Sequence, residues 1–242
     1  MLQRSKLIGL VGGVSWTSTL EYYKRLNEQV YLSRGGYESA RLLLTSINFA
    51  EILAFQQADR SDLEAEFLLQ ELRRLESGGA DYALICSNTT NKTIAVLRES
   101  IELPLISLPE SVALEANRLG MRRIGLLGTT YTMYGNFYRE CLEQHGLAVL
   151  VPEEKLGLQI HHIIYEELVK GAVLQRSAAV VDAACTELTS RGAEAVILGC
   201  TELPLLRAQM HTQCTLLDTI DIHIARALQF AFSEKNEFVK SS

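Results

Sequence analysis

The sequence predicts an α/β protein of two pseudosymmetric α/β lobes, each with a mostly parallel sheet flanked by helices. Three observations carry this expectation. Short apolar runs alternate with longer amphipathic segments, the pattern of strands linked by helices. Glycine closes many of the amphipathic segments, just past a long or basic residue. Two motif pairs also recur at nearly one offset. Leu7-Ile8-Gly9-Leu10-Val11-Gly12-Gly13 is echoed by Arg123-Ile124-Gly125-Leu126-Leu127-Gly128-Thr129, with Gly12 and Gly128 116 positions apart. Ala83-Leu84-Ile85-Cys86-Ser87-Asn88-Thr89 is echoed by Ala195-Val196-Ile197-Leu198-Gly199-Cys200-Thr201, with Ser87 and Cys200 113 apart. Two half-chain lobes related by a pseudo-twofold follow, with the site expected in the cleft between them.

The elements follow in chain order. Strands are expected at 7–11, 41–47, 81–86 and 105–107, then at 124–127, 148–151, 195–198 and 215–217. The first run, preceded by Arg4 and Lys6, imitates the start of a signal peptide. However, it is short, broken by Gly9, and followed by Ser15-Trp16-Thr17 without a small-x-small cleavage site, so a buried strand entering a glycine turn explains it better. A helix is expected at 62–77, where Phe67, Leu68, Leu72 and Leu75 fall at helical spacing and Gly78-Gly79 supplies a left-handed stop. Leu119-Gly120, His145-Gly146, Lys170-Gly171 and Arg191-Gly192 read as four further helix ends. The first lobe takes 1–105 and 208–242, the last helix folding back onto it; the second takes 106–207.

Composition narrows the function classes. With 242 residues, 48% hydrophobic and 21% charged, the chain can bury a core without staples and is not a low-complexity sequence. Its net charge of −6 argues against nucleic-acid and anionic-membrane partners, which need concentrated Lys and Arg. No run of roughly 18 apolar residues is present to span a membrane. Five cysteines, without a CxxC pair, make disulfides unexpected and the cytoplasm the default compartment.

Ligands of open α/β sheets sit beyond the carboxyl ends of the strands, where amides and helix N-termini are free to meet anions. All four echoed motifs lie at such ends. Gly12-Gly13 and Gly128-Thr129 let backbone approach a ligand. Ser15, Asn88, Thr89, Thr129, Thr132 and Thr201 offer hydroxyl or amide groups to a carboxylate, or cap helices. No GxGxxG follows the first strand and no GxxxxGK[ST] loop occurs, so a nucleotide is not indicated. Cys86, Cys141 and Cys185 read as small buried hydrophobes. Cys200, at a strand end beside a helix N-terminus that favours thiolate, reads as functional. Glu202 either orients polar groups or begins that helix. His161-His162 are adjacent rather than three or four apart, so no metal site is expected. His145 suits a helix C-terminus. His223, following Asp218 as a helix cap, is either a satisfied buried histidine or a cleft residue.

Gly12-Gly13-Val14-Ser15, Cys86-Ser87-Asn88-Thr89-Thr90-Asn91, Gly128-Thr129-Thr130-Tyr131-Thr132, Gly199-Cys200-Thr201-Glu202-Leu203 and Asp218 to His223 together resemble the aspartate/glutamate racemase family. The resemblance implies a cofactor-independent racemase, usually a homodimer, with a cysteine from each lobe on opposite faces of the substrate α-carbon. One thiolate removes the α-proton while the opposite thiol delivers another. The second cysteine corresponds to Cys200. The α-carboxylate ligands correspond to Asn88, Thr89 and Thr201, with Thr129 and Thr132 from the second lobe. Catalytic Cys200 and Ser87 and supporting Glu202 and His223 complete the expected site.

The first cysteine corresponds to Ser87, which is the main departure from the family pattern. Cys86 stands one residue too early, and a one-residue shift on a strand turns a side chain to the other face. Asn91 stands where many members carry histidine. Some members have a hydroxyl residue in place of the first cysteine. Serine is a far weaker acid than a thiol, whose pKa lies near 8.5. Activity is therefore expected to be slow or asymmetric, with α-proton exchange outrunning inversion for the enantiomer facing Cys200, by family analogy the L form. Two rival readings are a one-cysteine decarboxylase or isomerase on the same scaffold, and a non-catalytic carboxylate-binding protein. Substrate is expected to be an amino acid or dicarboxylate; Arg41, Lys92, Lys170 and Asn48 are candidates for its side-chain group. No metal, pyridoxal or nucleotide is indicated.

Overall fold

The computed structural model describes residues 5–232. Arg4 and the outermost ends of the expected first lobe, 1–4 and 233–242, lie outside them. The chain forms two compact units. One comprises the chain through Cys86, Thr93–Ser107 and everything from His223 onward; the other comprises Ser87–Lys92 and Leu108–Ile222.

The first unit contains β1 (Ile8–Gly12), α1 (Trp16–Arg34), β2 (Leu42–Ser46), α2 (Phe49–Gln57), α3 (Ser61–Ser77), β3 (Tyr82–Ile85), α4 (Ile94–Ser100) and β4 (Leu105–Ile106). Its sheet runs β2-β1-β3-β4 with every pair parallel. Strand β1 is buried along its whole length, as an apolar run in the middle of a covered parallel sheet must be. On α3 the apolar stripe reaches the core through Leu68, Leu72 and Leu75, all fully buried against Val11, Ala83 and Ile85. Each such side chain stabilises the fold by about 2 kcal/mol. The left-handed residue after α3 is Gly79, with φ of 83°, rather than Gly78.

The second unit opens at Ser87, and the chain turns through a short 3-10 helix at Thr89–Thr93. It then holds α5 (Leu108–Arg118), β5 (Arg123–Gly128), α6 (Thr130–Met133), α7 (Asn136–Gln144), β6 (Ala148–Leu150), α8 (Glu154–Glu166), α9 (Gln175–Ser190), β7 (Ala195–Gly199), a 3-10 helix at Leu203–Gln209, and β8 (Leu216–Asp218). Its sheet, β6-β5-β7-β8, is again all parallel and has the same strand order as the first. Alternation on β5 and β7 divides the core in two. Leu127, Val196 and Leu198 pack with Ile160, Val181 and Leu188, while Ile124, Leu126 and Ile197 pack with Val112, Tyr138 and Leu142. All eight expected strands are present, with ends shifted by a residue or two.

Helix α10 (Thr219–Phe232) starts in the second unit and from His223 belongs to the first. Tyr82 donates its hydroxyl to Ala227 O at 2.8 Å, which ties this helix to β3. His223 is fully buried with both ring nitrogens engaged. Nε2 donates to Ile106 O at 2.9 Å and Nδ1 accepts from the Tyr22 hydroxyl at 2.8 Å. Of the two placements left open by the sequence, it occupies the first, a satisfied buried histidine.

Burial pushes the His223 imidazole down to about 4, so it is neutral in the fold across the range where a solvated histidine protonates. The unfolded chain then binds the extra proton, and stability is lost as pH falls from about 6.5 toward 4, on the order of 3 kcal/mol. Urea unfolding at pH 7.5 and pH 4.5 tests this. The wild type is expected to lose much more stability over that interval than His223→Gln, which starts lower but lacks the titrating ring.

Candidate active site

In each sheet the strand order reverses between two central strands, β1 and β3 in one unit, β5 and β7 in the other. That reversal opens a crevice at the strands' carboxyl ends. The echoed motifs stand at these ends.

In the first unit, Gly12 and Gly13 are required by the protein's own packing. Gly13 has φ of 90°, and a Cβ there would meet Ile47 O at 2.1 Å and Ile47 N at 2.5 Å. A Cβ on Gly12 would strike the Thr19 side chain, whose Oγ1 accepts from Gly13 N at 2.8 Å. Ser15 caps α1, accepting from Ser18 N, and also bonds the Thr17 hydroxyl. Its φ of 47° is unusual for a residue with a side chain and costs about 1 kcal/mol or more. Cys86 is buried within this unit, its carbonyl accepting from the Ser18 hydroxyl at 3.1 Å, and desolvation pushes its thiol far up.

Ser87, the next residue, belongs to the second unit together with Asn88, Thr89, Thr129, Thr132, Cys200, Thr201 and Glu202, whereas Ser15 and His223 belong to the first. Its carbonyl accepts from Asn91 Nδ2 at 2.7 Å, while Asn91 Oδ1 accepts from Leu108 N at 3.0 Å. Asn91 thus staples the turn after β3 to the start of α5. The Ser87 side chain has no hydrogen-bond partner among the described residues, so no base is positioned to take its proton.

Asn88 is held at both ends of its amide. Nδ2 donates to Thr219 Oγ1 at 3.1 Å and Oδ1 accepts from the Tyr138 hydroxyl at 3.3 Å. Thr219 in turn donates to Leu198 O at 3.1 Å, which anchors Asn88 to β7 two residues before Cys200. One hydrogen of the Asn88 amide is left for a ligand. Thr89 Oγ1 lies 3.5 Å from both Thr129 Oγ1 and Thr132 Oγ1, which are 3.3 Å from each other. This hydroxyl cluster rests on Gly128 and Gly199, register partners on β5 and β7; a Cβ on either would come within 3.1 Å of Thr132. Thr129 also caps α6.

Cys200 follows directly after Gly199 and is 7% exposed. Its Sγ donates to Glu202 Oε2 at 3.0 Å, and Thr201 Oγ1 donates to the same oxygen at 2.9 Å. Leu203 N donates to Cys200 O at 3.2 Å, and the backbone amides of Glu202 and Leu203 act to lower the thiol pKa. Burial and the Glu202 carboxylate outweigh them and hold the thiol well above the usual thiol range. The resting group is therefore the thiol, not the thiolate that the helix N-terminus alone suggested.

Sequence reasoning did not identify Tyr138, Thr219 or His161. His161 Nδ1 accepts from Thr130 N at 3.2 Å, fixing the first turn of α6 beside Thr129. Its imidazole is pushed down, first by burial and then by His162. Thr219 stood within the Asp218 to His223 motif, in which only Asp218 and His223 were given roles, and Tyr138 carried no local signal. Asp218 does cap, accepting from Ile220 N at 2.9 Å. Two candidates for the substrate side chain make contacts of their own. Arg41 donates to Ser5 O at the amino end of its sheet, and Lys170 pairs with exposed Glu166. Asn48 caps α2. Among the described residues no group of His, Cys, Asp and Glu could hold a metal, and no helix is long and apolar enough to cross a membrane.

The sequence pattern of Asp/Glu/Hydantoin racemases matches residues 11–227. A glutamate racemase from Persephonella marina is 31% identical over 164 residues, 64% of this chain and 58% of that protein's length. Among solved structures, a Yersinia pestis protein assigned as an Asp/Glu racemase superposes with a TM-score of 0.87 at 34% identity, covering 94% of this chain and all of the other. An aspartate racemase homologue from Pyrococcus horikoshii gives a TM-score of 0.80 at 31% identity, with coverage of 94% and 100%.

Proposed function

The chain belongs to the Asp/Glu/Hydantoin racemase family, and on that premise we propose that it racemises aspartate or glutamate without a cofactor, Cys200 exchanging the α-proton on one face of the substrate and Ser87 occupying the other. The observation that carries this reading is the Cys200 thiol, bonded to Glu202 in the same unit as the Thr89, Thr129 and Thr132 hydroxyl cluster. These hydroxyls and Asn88 supply neutral donors for an α-carboxylate; Thr201, whose hydroxyl proton goes to Glu202, would contribute through its backbone amide.

The α-carbon–hydrogen bond breaks toward sulfur, and its electron pair moves onto the α-carboxylate, which those donors stabilise as charge grows. Inversion then needs a proton from the Ser87 side. Ser87 relays it through a bound water, because its own alkoxide is essentially absent near neutral pH. Enantiomers have equal free energy in water, so the enzyme cannot run in one direction only. Its asymmetry has to appear in exchange without inversion.

Proton NMR in deuterated water with each enantiomer of aspartate and glutamate tests the reading. For the enantiomer facing Cys200, expected to be L, the α-proton signal should vanish at least about tenfold faster than the opposite enantiomer forms. Equal exchange and inversion rates for both enantiomers would refute the asymmetric mechanism. Absence of any exchange would refute the racemase reading. The unpartnered Ser87 hydroxyl also favours a second reading, a one-thiol reaction in which Cys200 only protonates a carbanion left by decarboxylation. Carbon dioxide release from a malonate-like acid identifies it.

A further inference from the structure

We propose that Glu202 is the acid–base partner of Cys200, taking the thiol proton directly so that the thiolate forms without releasing a proton to water. The proposal rests on the reading of Cys200 given above and adds the means by which a buried thiol becomes a base. Sγ already donates to Glu202 Oε2 at 3.0 Å, and Glu202 is itself only 4% exposed. The second carboxylate oxygen, Oε1, is buried without a hydrogen-bond partner among the described residues.

Releasing the thiol proton to solvent would leave two negative charges 3.0 Å apart in an apolar surround, the arrangement that burial opposes most. Moving the proton from sulfur to the carboxylate keeps the pair at a single negative charge. In that step the S–H bond breaks, a carboxyl O–H forms, and the electron pair stays on sulfur. The substrate α-proton then bonds to sulfur, and the pair holds both protons until one returns to the carbanion.

Cys200 belongs to an apolar core cluster that also holds Leu127 of β5, Ile160 of α8, and Leu203 and Leu206. Titratable groups on the neighbouring elements are engaged or face solvent. His161 of α8 bonds Thr130, His162 is exposed, Cys185 of α9 contacts Cys214, and Arg207 is exposed. Glu202 supplies the charge that acts on the thiol.

The test follows α-proton exchange in deuterated water between about pH 6.5 and 8.5 for the wild type, Glu202→Gln and Cys200→Ala. Because the pair carries one proton throughout, wild-type exchange should be flat. Glu202→Gln should be at least about thirtyfold slower near pH 7 and should rise by roughly tenfold per pH unit, since its thiol must ionise to solvent. A Glu202→Gln protein as fast as the wild type near pH 7, or slower by one constant factor at every pH, would overturn the proposal. If Glu202→Gln does not fold, Glu202→Asp carries the test. It keeps a carboxylate and should keep the flat profile at a lower rate, whereas a sloped profile overturns the proposal. Cys200→Ala separates the two levels: if it exchanges normally, the reading of the site fails, and if it is inert while Glu202→Gln is normal, only the role of Glu202 fails.

Discussion

Replacing Cys200 with serine is expected to reduce α-proton exchange by about 10³-fold while leaving the protein folded and able to bind its substrate. A serine hydroxyl still reaches Glu202 Oε2, where the thiol now sits at 3.0 Å, and fits the same apolar surround. What changes is acidity. The hydroxyl proton is too tightly held for Glu202 to take, so the base that attacks the α-carbon no longer forms. Substrate contacts from Asn88, Thr89 and Thr201 are untouched. NMR exchange measures the loss, and the thermal shift produced by aspartate or glutamate measures retained binding. Residual exchange within tenfold of wild type would remove Cys200 from the mechanism. A wild type with ligand-dependent stabilisation but no reaction of any kind would identify a binding protein instead.

The opposite substitution is expected to restore what the chain lacks. Ser87→Cys places a thiol at the position where the family resemblance expects the first cysteine, with no hydrogen bond to the side chain broken among the described residues. A thiol of ordinary pKa near 8.5 is partly ionised at neutral pH, whereas serine is not. A positioned acid–base group is worth about 10²- to 10⁴-fold. Inversion should therefore rise by about 10²-fold, while exchange on the Cys200 side changes little. Circular dichroism of the substrate at equilibrium and NMR exchange together read both rates. An unchanged inversion rate would mean that Ser87 does not stand on the reacting face. Shifting the thiol to Cys86 cannot substitute, because that residue is packed inside the other unit and its sulfur is buried there.

The fold was legible because its signals are local. Buried parallel strands read as short apolar runs such as Ala195 to Leu198, and helix ends announce themselves by glycines at positive φ, as at Gly120, Gly146, Gly171 and Gly192. The duplication into two like halves was legible because the repeat survives in the motifs themselves. Candidate residues at strand ends were readable for the same reason. Their partners were not. Tyr138 lies 50 residues from the Asn88 it holds, and Thr219 lies 131 residues from it. No periodicity encodes a hydroxyl meeting an amide across that separation. The state of Cys200 was misjudged because the amides are visible from its placement, whereas desolvation and the orientation of Glu202 are properties of the folded unit. Gly13 shows the same limit. The need for a glycine was plain, but the atom it makes room for, Ile47 O, is 34 positions away.

Helix α1 has a further practical consequence. The chain's single tryptophan, Trp16, is the first residue of that helix, directly after the strained cap Ser15, and is 70% exposed. Intrinsic tryptophan emission from this protein is thus an optical gauge of one turn of backbone. It reports whether the Ser15 cap is intact and what shields the indole.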